Sequence, residues 1–285
     1  MLDFEKEILI KMEKICALNN EVNIVLDKYA NDIEIHLLPS LEELSKAVSN
    51  SKDTALLIAA TDSTIALGKK LGVATMAYLN PEIPNQSYSG VDMLVEGFEE
   101  VDIDFFEKVY QRYHRIPWTI LETERCVIRE LTLDDLDALF ELYGDGEIDK
   151  YTDPLYPYEE EKEFQRAYIE NMYRYFGYGL WLVFSKETGE LIGRAGLEHR
   201  EYNEEIELEL GYIIGTKWQG QGLATEVCKA ILEYAKENAG FERINALIEE
   251  ENIVSTKLAE KLGFCHYEDF ELDGKVMRRF ILNFC

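Results

Sequence analysis

"KWQGQGLATEVCKAILEYA", Lys217 to Ala235, sets two glycines, Gly220 and Gly222, in front of a helical pattern of apolar residues. Leu223, Val227, Ile231 and Tyr234, with Ala224 and Ala235 beside them, recur at the spacing that makes one stripe on an α-helix. The spacing predicts a helix that begins near Gly222 and follows directly on the strand pattern "LELGYII". A helix start presents backbone N–H groups without intrahelical partners and the positive end of the helix dipole. Glycine lets a ligand approach that backbone with no Cβ in the way. The combination predicts a phosphate cradle. It is neither a P-loop nor a dinucleotide fingerprint, since GxxxxGK[ST] and GxGxxG are both absent.

Around this stretch the second half of the chain reads as a mixed, largely antiparallel sheet with helices on its faces. "RCVIREL" predicts a strand, and "TLDDLDALFELYG" a helix with Thr132 as N-cap. A helix from about Tyr158 to Phe176 leads into strand "LWLVFSK", then "ELIGRAGLEHR" and "EIELELGYII". Past the glycines come strand "RINALIEE", helix "IVSTKLAEKLG" and strand "FCHYEDFEL". Asp273-Gly274 then closes a hairpin with "KVMRRFIL".

The first half has a different rhythm. Phe4, Ile8, Met12 and Ile15 recur at helical spacing. The apolar runs "VNIVL", "IEIHLL", "TALLIAA", "VATMAYL" and "DMLVEGF" then alternate with the helical patterns "SLEELSKAVSN", "STIALGKKLG" and "DIDFFEKVYQRY". Alternating strands and helices predict a parallel, Rossmann-like α/β layer. Proline and the change of pattern at "HRIPWTILETE" place a boundary near residue 120, with one domain over 1–118 and a second over 123–285.

The 285 residues carry 56 acids against 29 bases, a formal net charge of −27. Such a surface repels phosphate backbones, so nucleic acid is not the expected partner; it attracts a cationic amine, or it simply keeps the protein in solution. No apolar run reaches the length of a membrane span, and the start "MLDFEKEILIKMEK" carries acids where an export signal carries lysines. Five scattered cysteines without a CxxC pair fit reduced thiols, and four dispersed histidines give no metal-ligand spacing. A cytoplasmic protein without a metal centre is expected, and the front half could position substrate, bind a regulator or mediate a homodimer.

Gln219-x-x-Gly222-x-Ala224 resembles the Q/R-x-x-G-x-G/A signature of the GCN5-related N-acetyltransferases (GNAT), in which this loop holds the pyrophosphate of coenzyme A. "ETERCVIREL" is similar to that family's opening strand and "ELGYII" to its fourth. "NIVSTKLAEKLGF", about 30 residues past the loop, is similar to its N-x-x-S…E-K-x-G-F segment. The resemblance covers Thr123 to Cys285 and is closest to the branch of ribosomal-protein N-terminal acetyltransferases. It implies acetyl-CoA as co-substrate, bound by Gln219, Gly220, Gln221, Gly222, Leu223 and Ala224. It also implies backbone contacts from Tyr212, Ile213 and Ile214 to the thioester oxygen and pantetheine arm, and Asn252 touching the pantetheine.

Transfer of an acetyl group to an amine requires that the amine lose a proton, since ammonium groups titrate near ~8 to ~10.4. It requires polarisation of the thioester carbonyl and stabilisation of the departing thiolate. In a strand, Ile206, Leu208, Leu210 and Tyr212 point one way while Glu207 and Glu209 point the other. Glu209 matches a carboxylate position in the family's fourth strand, which makes it the candidate to take the amine proton or to anchor the ammonium. The alternative is that both glutamates line a solvated face. Many relatives carry an acid tyrosine where this chain has Ala259, and the ribosomal branch instead implies a serine at Ser255. Both Asn252 and Ser255 also suit an ordinary N-cap and first helical turn. Between Tyr151 and Tyr178 lie seven tyrosines, with an acidic cluster from Glu159 to Glu163, a composition suited to a cationic acceptor, although half-buried tyrosines along an amphipathic helix with a charged outer turn account for most of them.

The front half resembles the later part of a haloacid-dehalogenase-like (HAD-like) phosphatase in "ALLIAATDSTIALGKKLGVATMAYLNPE" and "GVDMLVEGFEEVD". The catalytic acids fail to match. Ala59 and Ala60 stand where that family ends a strand in an acidic pair, Asp62 is displaced by two, and "LDKYAND" has Tyr29 and Asn31 where D-x-D-x-T follows Asp27. A degenerate, non-catalytic accessory domain is therefore expected. Besides an N-acetyltransferase, two readings stay open: an acyl-CoA-binding sensor without turnover, and a phosphatase in the front half.

Overall fold

A computed structural model of the chain describes residues 11–22, 26, 28–144, 146, 148–202, 205–237 and 241–284. The chain divides into two compact units, one ending at Trp118 and one beginning at Thr119. Among the described residues no helix is long and apolar enough to cross a membrane.

The N-terminal unit is built on a five-stranded sheet: β1 (Lys14–Leu18), β2 (Glu34–Leu38), β3 (Ala55–Ala59), β4 (Ala74–Tyr78) and β5 (Leu94–Val95). All pairings are parallel, in the order β2-β1-β3-β4-β5. Its helices are α1 (Asn19–Val22), α2 (Leu41–Ser49), α3 (Asp62–Leu71) and α4 (Ile103–Tyr113). Ser40, Thr61 and Asp102 cap α2, α3 and α4, each side chain accepting from an amide one turn in. The strand order is a doubly wound one with its switch point between β1 and β3. The expected parallel layer is present, but nothing in it identifies a HAD-like domain.

Two sequence expectations fail here. Met12 and Ile15 do not continue a helix: Met12 precedes β1 and Ile15 lies inside it, while Phe4 and Ile8 fall outside the described residues. "VNIVL" is not the first strand: Val22 closes α1, Leu26 sits in a 3-10 turn, and 23–25 fall outside the described residues. The physical reason is that β1 lies between β2 and β3 with both faces covered, so Ile15, Cys16 and Ala17 are all fully buried. A central parallel strand reads as a continuous apolar run, which periodicity alone cannot separate from a buried helix segment.

The C-terminal unit holds an eight-stranded sheet made of β6 (Thr119–Glu122), β7 (Cys126–Arg129), β8 (Leu180–Ser185), β9 (Leu191–Tyr202), β10 (Glu205–Ile214), β11 (Arg243–Glu249), β12 (Cys265–Leu272) and β13 (Lys275–Asn283). The order is β12-β13-β11-β10-β9-β8-β7-β6. Every pairing is antiparallel except β10 with β11. Edge strand β6 has no counterpart in the sequence reading, which took Thr119–Glu122 as linker. The helices are α5 (Leu136–Tyr143), α6 (Tyr158–Tyr168), α7 (Leu223–Glu237) and α8 (Ile253–Lys261). Beyond α6 the chain continues in π-helical turns over Ile169–Phe176 and stops at Gly177, whose φ is 75°. Asp273 and Gly274 take φ of 52° and 77°, the doubly left-handed pair of a tight hairpin turn between β12 and β13.

One core fills this unit. Trp181, Leu182, Val183 and Phe184 of β8 pack with Leu136 and Leu139 of α5 and with Val227, Cys228 and Ile231 of α7. Leu208 and Leu210 of β10 join the same cluster, so one face of β10 is turned into the core and Glu207 and Glu209 are turned to the opposite face. The feature that positions the site is where β10 and β11 part. β10 is in register with β9 along its whole length, but it meets β11 only at Glu209 opposite Asn245. From Leu210 to Ile214 its other edge has no strand partner among the described residues.

Candidate active site

The glycine stretch lies at the end of this open edge. After β10 the chain makes a 3-10 turn over Thr216–Trp218, crosses Gln219 to Gly222 and enters α7 at Leu223. Gly220 and Gly222 have φ of 73° and 80°, the left-handed region that disfavours any side chain. The first bond into α7 runs from the Glu226 N–H to the Gly222 carbonyl, so the amides before it have no intrahelical acceptor. Gln219 to Gly222 are exposed, Leu223 is buried and Ala224 is half-buried. Gln219 turns back, its Nε2 donating to the Ile214 carbonyl at 2.9 Å, and ties the loop to the strand end. Gln221 does the same more weakly, to the Lys217 carbonyl at 3.3 Å.

Sequence reading missed the residue that braces this loop. Arg125, just before β7, donates from Nη1 to the Gln221 carbonyl at 2.9 Å and from Nε to Glu226 at 2.7 Å. Its own backbone N–H also donates to Glu226, at 2.9 Å. A Cβ built on Gly222 would stand 3.7 Å from Arg125 Nη2, and one built on Gly220 would meet nothing within 4 Å. On the other side, Lys261 at the end of α8 reaches Thr225 in the first turn of α7, Nζ to Oγ1 3.3 Å. Exposed amides at a helix head, a guanidinium, an ammonium and two positions without side chains fit a bound anion such as a diphosphate. Arg125 is 101 residues from Glu226, so no local pattern announces the pairing.

Along the open edge, Tyr212 and Ile213 are half-buried and Ile214 is buried. The Tyr212 side chain faces α7 and α8. Its hydroxyl is buried and approaches Ser255 without reaching hydrogen-bond geometry. Burial drives the Tyr212 phenol far up, against a smaller lowering from Ser255, so it stays protonated. Asn252 is the N-cap of α8, with Oδ1 accepting from the Ser255 N–H at 3.1 Å. The cap engages the Ser255 backbone and leaves its hydroxyl toward the strand. Ala259, where many relatives carry tyrosine, is buried. Asn252, Ser255 and Tyr212 thus stand together at the α8 side of the opening.

The opposite face of β9 and β10 is charged. In the ladder Glu207 stands opposite Arg200, and Glu209 opposite Glu198. Glu207 is held by Arg279 at 2.8 Å, Arg243 at 2.7 Å and Asn245 at 2.7 Å. Burial acts to raise the Glu207 carboxyl, but these hydrogen bonds and charges outweigh it and hold it below the usual range. Glu209 is tied through Oε2 to Arg200 Nε and the Tyr202 hydroxyl, both at 2.6 Å. Its burial outweighs the Arg200 charge and the hydrogen bonds, so the Glu209 carboxyl is raised, with Glu198 adding to the rise. Glu207 and Glu209 line neither a solvated face nor an equivalent pair. One is a well-neutralised structural anion; the other is set to take up protons more readily than usual.

The tyrosine-rich stretch is divided in the same way. Tyr168 and Tyr173 are buried, while Tyr156, Tyr158 and Tyr175 are exposed. Within the acidic cluster, Glu161 is buried and accepts from the Tyr156 N–H at 3.0 Å and Gln165 at 2.6 Å, so part of the cluster is structural. In the N-terminal unit the head of α3 lies at the switch point, where doubly wound sheets take ligands. There the buried Glu21 carboxylate accepts from the Ala60 N–H at 2.7 Å, Thr61 Oγ1 at 2.7 Å and Thr64 Oγ1 at 2.6 Å. The chain's own carboxylate fills the anion position. Asp62 accepts from the amides of Ser87 and Tyr88. Asp27 lies outside the described residues.

A family model described as an acetyltransferase (GNAT) domain matches residues 125–265. An N-acetyltransferase of Bacillus licheniformis designated p20, whose own activity is uncharacterised, is 30% identical over 146 residues, covering 50% of this chain and 81% of that protein. The ribosomal protein uS5-alanine N-acetyltransferase of Escherichia coli is 27% identical over 161 residues, 52% of this chain and 79% of the relative. The structure of a ribosomal-protein-S5-alanine acetyltransferase from Vibrio fischeri superposes with a TM-score of 0.51 at 14% identity, over 57% of this chain and 95% of that one, a likeness of fold. With the loop, the parted strands and these relatives, the chain belongs to the GNAT acetyltransferase family, on the side of the ribosomal-protein acetyltransferases.

Proposed function

We propose that the chain acetylates a primary amine, with acetyl-CoA bound between β10 and β11 and its diphosphate on the head of α7. The observation that supports this most is the placement of the Gly220–Gly222 cradle at the end of the unpartnered edge of β10. The amides of Gly220, Gln221, Gly222, Leu223 and Ala224 bind the diphosphate, and Arg125 and Lys261 add positive charge. The free edge from Tyr212 to Ile214 offers backbone groups to the pantetheine arm, and Asn252 contacts it from α8. Acetyl-CoA, when bound, supplies the acetyl group as a thioester with a readily departing thiol. Glu209 keeps Oε1 for the acceptor's ammonium while Oε2 is occupied by Arg200 and Tyr202. Ser255, beside the buried Tyr212 hydroxyl, holds a proton on the α8 side.

The acceptor is a cationic amine, in keeping with the acid-lined face and the net charge of −27. The E. coli relative is an N-acetyltransferase for an alanine of ribosomal protein uS5, which makes a protein α-amine the first acceptor to test. The N-terminal unit serves as an accessory body, because its switch point is closed by Glu21. Thiol release from acetyl-CoA is measured against a panel of amines: alanine-initiated peptides, polyamines, amino sugars and amino acids. Amine-dependent release supports the proposal. Tight acetyl-CoA binding with no release on any amine replaces it with the sensor reading, and magnesium-dependent hydrolysis of a phosphate ester would restore the phosphatase.

A further inference from the structure

Glu198, Glu207 and Glu209 share the polar face of β9 and β10, and they differ in how far they are neutralised. Glu207 has two guanidiniums and an amide; Glu209 has one guanidinium and a phenol. Among the described residues Glu198 accepts only from the Tyr168 hydroxyl, at 3.2 Å to Oε1, and has no ion-pair partner. Yet Glu198 is the direct cross-strand neighbour of Glu209, which places like charges at about 5 Å between Cβ atoms, an arrangement that destabilises a bare sheet. It is half-buried, so water screens it incompletely.

The surroundings keep this charge in place. Tyr168 comes from α6 and also accepts from the Leu180 N–H at 2.7 Å, which fixes its ring over β8 and β9. Gly196, two residues before Glu198 on the same face, has no room for a side chain: a Cβ there would stand 1.9 Å from the Gly179 carbonyl. The groups facing Glu198 are Tyr168 and Tyr173 from the helical layer, Glu209 from β10 and, on its own strand, Arg194, whose guanidinium lies 5.7 Å from the Tyr168 ring, and Arg200, which is committed to Glu209. Among the described residues neither guanidinium pairs with Glu198.

We propose that Glu198 is the second acceptor-side carboxylate, which receives the acceptor's ammonium together with Glu209 and takes its proton. The inference rests on the reading of the site as one for acetyl-CoA and an amine. Glu209 is committed through Oε2 and contributes Oε1 as an anchor. Among the described residues Glu198 Oε2 accepts no hydrogen bond and Glu198 pairs with no cation. The proton moves from the ammonium nitrogen to Glu198 Oε2, giving a neutral carboxylic acid and a neutral amine with its lone pair free. The substrate class follows: a primary amine that arrives charged.

The test uses two thioethers of coenzyme A, one carrying a 2-aminoethyl group on sulfur and one a neutral ethyl group, titrated calorimetrically into the full chain. The wild type should favour the ammonium analogue by about 10-fold or more, the worth of one charge-assisted hydrogen bond. Glu198→Gln should cut that preference by about 10-fold, leaving at most the share of Glu209 Oε1, while the ethyl analogue's affinity stays within about 2-fold. A preference undiminished in Glu198→Gln, or absent in the wild type that binds both, overturns the inference and leaves the acetyl-CoA reading standing. If the wild type binds neither analogue, the acetyl-CoA reading fails and the inference falls with it. Should Glu198→Gln lose both analogues, Glu198→Asp decides: a retained preference supports the role, and a lost one overturns it.

Discussion

Replacing Gly222 by alanine separates backbone strain from loss of the cradle. Gly222 has φ of 80°, where an L-residue is disfavoured by about 1–2 kcal/mol. The added methyl would stand 3.7 Å from Arg125 Nη2, ordinary contact, so no clash adds to that figure. For a domain of this size each kcal/mol shifts the melting temperature by about 2–4 °C, giving an expected fall of about 2–8 °C by thermal shift. Gly274, φ 77° with nothing within 4 Å of its virtual Cβ, supplies the control: the same strain in the β12–β13 turn. Gly274→Ala should lower the melting temperature by a similar amount and leave coenzyme A affinity unchanged. Gly222→Ala should also weaken coenzyme A by about 10- to 100-fold in calorimetry, the loss of one charge-assisted hydrogen bond. Equal and small changes in affinity for the two variants would refute the assignment of the loop.

Two further predictions follow from neighbouring side chains. Arg125→Met removes the brace to Gln221 and leaves Glu226 uncompensated beside the anion site, so coenzyme A binding should weaken by about 10-fold. The Arg125–Glu226 pair is partly exposed, so stability should fall by no more than about 1 kcal/mol; unchanged affinity in calorimetry would contradict the role. For Glu207 the folded carboxyl is held below its ordinary value of 4.5, so the unfolded chain takes up that proton first as pH falls. Its stabilisation is complete above about pH 4.5 and is lost as pH drops through the depressed folded value, so Glu207→Gln should flatten the acid limb of a denaturation-against-pH curve. An acid limb as steep as the wild type's would show that the Arg279 and Arg243 contacts do not set it.

Which parts were legible in the sequence follows from the range of the interactions that determine them. The alternation in "EIELELGYII" placed Glu207 and Glu209 on one face because a strand's side-chain period is fixed by covalent geometry. Asp273-Gly274 specified its hairpin because only certain residues tolerate two successive left-handed conformations. β1 was not legible: buried on both faces, "KICAL" carries no alternation, and its apolar residues happen to fall at helical spacing with Met12. The edge strand β6 is four residues long beside Pro117, too little pattern to distinguish from linker. At the site the glycine loop and the α8 cap were legible because both are local. Arg125 and Glu198 were not, since each depends on a partner brought near by the fold: Glu226, 101 residues from Arg125, and Tyr168, 30 residues from Glu198. The different fates of Glu207 and Glu209 were likewise hidden, because Arg279 reaches Glu207 from a strand 72 residues away.

The account rests on the backbone of Gly220 and Gly222 meeting the diphosphate of coenzyme A. With glycine labelled in 15N, titration with coenzyme A should shift the amide resonances of these two residues, while pantetheine, which has no diphosphate, should leave them in place. Coenzyme A that binds and moves other glycines while Gly220 and Gly222 stay unshifted would contradict it.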